Sequence, residues 1–224
     1  MKILSYPALL ALLILTYGAV GAQSPTVVPV QDEPRHRTVL RNTQVMVLRI
    51  QIPAGDESLM HSHENDAVHI TVQGSEVRET TPSSWWASNH AASPDGLTYF
   101  SALGGKPYAH QIRNTGLRET HIVSVELLGN APSNPLAFNA LPGAKQISVN
   151  TRTSVERLES NSSLTVPPSP ANAVLVSLRA GTLTGLESVT AMAPGSVHWI
   201  PAGTAVRMQA ANGSDNDLIY VRLR

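Results

Sequence analysis

The chain runs to 224 residues, long enough for one large domain or two small ones with buried cores. Its 16 acidic and 16 basic residues cancel, which removes the electrostatic case for a nucleic-acid partner or an anionic membrane surface. The absence of cysteine excludes disulfides, thiolate metal ligands and acylation on cysteine, so the fold must hold by packing alone.

Residues 1–22 read as a secretory signal, with Lys2 ahead of an apolar core over 8–16 and Val20-Gly21-Ala22 before Gln23. That core is short for a full membrane span. Cleavage is therefore expected, leaving no stable membrane anchor and a secreted or periplasmic protein. Residues 23–37 carry Pro25, Pro29 and Pro34 and read as an extended lead-in. From Thr38 onward the pattern is β. Residues 45–52 (VMVLRIQI) end at the turn Pro53-Ala54-Gly55, residues 67–72 alternate and close at Gly74, and residues 97–102 and 111–114 give shorter strands. Residues 121–128 (HIVSVELL) form the strongest strand of this half. Residues 131–144 have the Pro and Asn density of a linker. Beyond them the theme repeats, with residues 171–178 alternating like 66–72 and residues 218–223 closing the second half as 121–128 closes the first. Helical periodicity is nowhere sustained. The chain is expected to be all-β, in two tandem units at 38–130 and 145–224.

Three histidines fall within residues 61–69 (HSHENDAVH). In a strand, positions i and i+2 share a face, so His61 and His63 can present two imidazoles to one point. His110, on a neighbouring strand, is the natural third. Neutral imidazoles suit Zn, Cu, Fe, Ni and Mn, and three of them leave coordination positions open. The competing reading is a pair of surface histidines in a polar turn, because His-x-His alone is common.

The wider spacing favours the site. Gly55-x5-His61-x-His63 followed by Gly74, then His110-x3-Asn114, resembles the two signature motifs of the cupin superfamily, G-x5-H-x-H-x(3,4)-E-x6-G and G-x5-P-x-G-x2-H-x3-N. Ala67 stands at the glutamate position, and Gly105 and Pro107 occupy the proline and glycine positions of the second motif. In the second half Gly195-x5-Pro201-x-Gly203 matches the start of that motif, but Val206 stands at its histidine and residues 166–170 (VPPSP) offer no ligand.

The resemblance implies tandem cupin barrels, of the double-stranded β-helix or jelly-roll type: one able to hold metal and one degenerate. It also implies one divalent transition metal (Fe, Cu, Mn or Zn) on His61, His63 and His110. The loss of the motif glutamate would leave the ion its full +2 charge. In ligand count the set is similar to the three-histidine iron sites of cupin-type thiol dioxygenases. It also admits the opposite reading, that metal binding has been lost. His69, two residues past Ala67 on the same face, is the candidate catalytic residue, as a further ligand, a base behind the ligands or a general acid/base. Its bland reading is a histidine packed in the barrel wall.

Two function classes follow: a metal-dependent oxidoreductase, preferred over an isomerase or hydrolase, or a secreted module that binds a ligand without turnover. The expected partner is a small organic or carbohydrate ligand, with edge-to-edge barrel packing in one chain or a homodimer. Trp85 and Trp86 read as loop residues that cap a barrel or seal a contact, and would support polysaccharide chemistry only by lining a groove to the metal. Trp199 reads as core of the second barrel.

Overall fold

The structure, a computed structural model, describes residues 26–83, 86–211 and 214–224. The signal segment at 1–22 and Trp85 lie outside the described residues. No α-helix occurs among those described, so no helix is long and apolar enough to cross a membrane.

Among the described residues the strands form four antiparallel-dominated sheets. In the first barrel one sheet orders His36–Arg41, Val45–Ile52, Thr120–Leu127, Asp66–Gln73 and Thr98–Ser101. Facing it, the second orders Val28–Pro29, His61–His63, Tyr108–Asn114, Val77–Thr80 and Ser88–His90. The second barrel repeats the first order with Lys145–Val149, Thr153–Ser160, Asn216–Leu223, Ala173–Ser177 and Val197–Ile200, opposite a four-stranded sheet. The whole is a pair of double-sheeted β-barrels in tandem.

Side-chain alternation explains why the longest strands read as nearly continuous apolar runs: both of their faces are covered. On Thr120–Leu127 the odd positions Val123, Val125 and Leu127 face outward, into an apolar layer shared with Val174, Val176, Ile219 and Val221 of the second barrel. The barrels are therefore joined sheet to sheet by one buried core. The interior of the second barrel is filled by Leu158, Leu175, Leu183, Met208, Leu218 and Tyr220. That of the first holds a smaller apolar cluster, around Leu48, Ile50 and Ile52. Gly195 lies at the junction. It has φ +81°, and a Cβ there would meet His121 of the first barrel at 2.3 Å, so the close approach requires glycine.

Two expectations are corrected. The 23–37 segment is not a lead-in outside the barrel. Val28–Pro29 pairs in parallel with His61–Ser62, a single 3-10 turn spans Val30–Asp32, and the opening strand begins at His36, not Thr38. Buried Val30 anchors this segment on the first barrel's apolar cluster. Trp199 packs against the apolar layer between the barrels instead of the second barrel's interior, because its register on Val197–Ile200 turns it outward while Ile200 turns in.

Candidate metal centre

Strand pairing places the expected ligands. His61 stands directly opposite His110 in the antiparallel pair His61–His63/Tyr108–Asn114, and His63 follows on the same inward face. The ring centroids of His61 and His110 are 4.6 Å apart, those of His61 and His63 5.2 Å, and those of His63 and His110 5.3 Å. His69 sits farther along the wall, 5.8 Å from His63 and 5.0 Å from the ring of Tyr99. A fourth close imidazole, missed in the sequence, is His36, whose ring lies 4.4 Å from that of His61.

Each of the four clustered rings spends Nδ1 on a fixed acceptor. His61 donates to the Leu59 carbonyl (2.9 Å), His63 to Glu126 (3.1 Å), His110 to Glu79 (2.6 Å) and His36 to Glu33. That bond sets the tautomer and ring orientation, leaving Nε2 as the nitrogen free for an ion. His61 Nε2 is fully buried and has no hydrogen-bond partner among the described residues, an arrangement that costs about 1–3 kcal/mol unless something fills it. The donor set of oriented imidazoles fits a divalent transition metal.

The carboxylates around the cluster come from strands with no motif of their own. Glu126 lies in register opposite Ala67, so its buried side chain enters the barrel beside the position where the motif carboxylate is missing. Ser124 also donates to it, at 2.9 Å. Glu79 collects His110, the Tyr108 hydroxyl (2.7 Å) and His90 (3.1 Å). The His110 bond, against the cost of burial and with help from Tyr108, holds Glu79 at a pKa of about 2. Burial of the Tyr108 hydroxyl and its bond to Glu79 push that tyrosine up to about 12, so it remains a donor at any physiological pH. Asn114 is structural: its amide donates to the carbonyls of Ile52 and Arg118 (2.8 and 2.7 Å) and accepts from Gly116 N, closing the turn.

Burial, then the neighbouring imidazoles, lowers His61 to about 2 and His69 to about 3, and burial lowers His36 against the pull of Glu33. The ordinary value is 6.5. As pH falls below it the unfolded chain takes up protons that the folded chain does not. The ion-free protein is then fully stable above that value and loses stability as pH falls toward the folded values, by roughly 1.4 kcal/mol per pH unit for each such histidine. Urea midpoints of metal-stripped protein should drop steadily between about pH 7 and about pH 5. A flat profile would contradict the burial of neutral rings.

The cluster forms one wall of a cavity of about 520 Å³. Most of the remaining lining is aliphatic (Ile50, Ile52, Val77, Leu103, Ile112 and Ile122), with Ser93, Ser101, Thr120 and Glu79 adding polar groups, and Tyr99, Tyr108 and His90 stand at its more exposed end. Trp86 is 81% exposed and does not line it.

No family model and no curated protein matches the sequence. Solved structures do match in fold. YhhW from Escherichia coli is 13% identical, over 84% of this chain and 89% of that one, with a TM-score of 0.55. A cupin 2 conserved barrel domain protein from Leptotrichia buccalis is 8% identical over 84% and 88%, with a TM-score of 0.51. A salicylate 1,2-dioxygenase from Pseudaminobacter salicylatoxidans is 12% identical over 87% and 78%, also at 0.51. A variant of that enzyme has been solved with gentisate.

Proposed function

Starting from a tandem cupin fold with imidazoles gathered at one wall of a mainly apolar cavity, we propose that the protein is a secreted or periplasmic, mononuclear metal-dependent oxidoreductase acting on a small organic molecule. The observation that carries this reading is the common anchoring of Nδ1, which leaves a buried Nε2 on His61 with nothing else to bond. His61, His63 and His110 would hold the ion. A redox-active iron or copper would supply oxygen-dependent chemistry there, at full +2 charge because Ala67 contributes no carboxylate.

The chain's own groups define what the cavity accepts. A mainly aliphatic lining favours a ring with few polar groups over a hydroxyl-rich sugar, because Ser101 and Thr120 can partner one or two buried hydroxyls but the aliphatic side chains can partner none. Salicylate, named for one structural neighbour, is such a ring. His69, neutral and with its ring tilted against that of Tyr99, would orient a substrate hydroxyl or carboxylate through a hydrogen bond. With a pKa of about 3 it is too weak a base to store a proton near neutrality. Tyr108 and Glu79 hold His110 in place from behind.

The test is oxygen uptake by iron-reconstituted and copper-reconstituted protein offered hydroxylated aromatic acids, thiols and small sugars. Uptake with an aromatic compound, abolished in His110→Ala and lowered at least tenfold in kcat/KM by His69→Phe, is the expected result. A protein that takes up metal and binds the compounds without consuming oxygen would instead be the binding module.

A further inference from the structure

We propose that His36 is a fourth metal ligand, delivered by the N-terminal segment, so that an imidazole from outside the motif takes the place of the carboxylate that Ala67 lacks. This rests on the metal-centre reading above and adds a residue to it.

Among the described residues, one ligand atom each from His36, His61 and His63 lies within 4.8 Å of the others. Three nitrogens spread evenly around one ion at about 2.0–2.1 Å stand about 3.6 Å apart or less. Drawing each ligand atom inward by roughly an ångström therefore closes the set. His110 borders the same group, 4.6 Å from His61 by ring centroids.

His36 is also built like a ligand. It is 4% exposed, and its Nδ1 partner Glu33 is 2% exposed. Glu33 is fixed in turn by the backbone amides of Arg35 (2.6 Å) and Leu59 (3.1 Å). A carboxylate on Nδ1 orients the ring and raises its donor strength toward an ion on Nε2. As core packing the pair would be a poor choice, since apolar residues of similar volume serve as well without the desolvation cost. Glu126, opposite Ala67, is the other carboxylate near that position. Its Oε1 is taken by Nδ1 of His63 and the Ser124 hydroxyl, while its Oε2 is buried without a partner among the described residues, so the imidazole count also decides between Glu126 and His36.

The segment that carries His36 is stitched to the strand that carries His61 and His63. Val28 N donates to Met60 O (3.0 Å), Val28–Pro29 pairs with His61–Ser62, and Leu59 N reaches Glu33. An ion bound by His36 would then tighten residues 26–36 as well as the barrel wall.

Cobalt(II) serves as the probe. X-ray absorption of the Co(II)-loaded wild-type chain should count four imidazoles, and His36→Gln should count three. The Co(II) affinity of His36→Gln should be more than about 100-fold weaker, and Glu33→Gln should keep four imidazoles with a loss of about 10–100-fold. Hydrogen exchange in residues 26–36 should slow on Co(II) addition in the wild type and not in His36→Gln. Three imidazoles in the wild type, or unchanged affinity in a folded His36→Gln, overturns His36 as a ligand and leaves the three-histidine centre standing. If the wild type takes up no Co(II), both readings fall. The wild-type count needs no variant to fold.

Discussion

Replacing His61 by leucine should abolish metal retention while leaving the ion-free protein about as stable as the parent. His61 is fully buried, one of its nitrogens is unpartnered, and the other bonds a backbone carbonyl. Leucine removes the orphan, a gain of about 1–3 kcal/mol, and leaves the Leu59 carbonyl without its donor, a loss of similar size. The two nearly offset. With metal present the outcome differs sharply. A ligand at 100 times its Kd stabilises the folded state by about 2.7 kcal/mol, and a chain that cannot bind gains none of it. Thermal melts with and without added metal, run on both proteins, separate the terms. A His61→Leu protein that still melts higher with metal would show that His61 is core and no ligand.

In the second barrel, Glu156→Ala should cost about 3–5 kcal/mol, whereas the double change Glu156→Leu/Arg222→Met should recover most of it. Arg222 is 3% exposed. Its guanidinium bonds Glu156 at 2.6 Å and the Asn139 carbonyl at 2.9 Å and lies 4.5 Å over the Phe138 ring. Glu156 also accepts from Leu141 N at 3.0 Å. Removing the carboxylate alone strands a buried cation, while removing both charges leaves a cavity that apolar side chains can fill. For a chain of this length the single change should lower Tm by about 6–20 °C. A drop of less than about 2 °C would mean that water reaches the pair. Metal affinity in the first barrel should be unchanged in the double variant.

The Arg222 position shows how the two barrels diverged in use. In the first barrel Ala67 pairs with Glu126, and in the second Ala173 pairs with Arg222 at the same place in the sheet order. One barrel spends that inward polar position on orienting His63, and the other on an ion pair that clamps residues 138–141. Val206, where a histidine would be needed, is packed in the second barrel's filled interior.

Much of this was legible in the sequence, and the limits have physical causes. The His-x-His pair was readable because strand alternation is a local rule, and His110, 47 positions beyond His63, through the spacing of the second motif. The strands covered on both faces showed as dense apolar runs. His36 escaped because it is a single histidine next to three prolines, where no period exists to place it on a face. Only the Glu33-x2-His36 spacing hinted at a pair. Glu79 and Glu126 lie on separate strands; Glu79 meets His110 through register between neighbouring strands and Glu126 meets His63 across the two sheets, and no spacing along the chain encodes either. Trp199 was misplaced for the same reason: alternation gives two faces but not which of them meets the other barrel.

The most direct test of the central claim is the metal content of the mature wild-type protein, purified without chelator and measured by elemental analysis. One iron, copper, manganese or zinc per chain is the expected result. No metal as purified, and none retained after reconstitution, would contradict it.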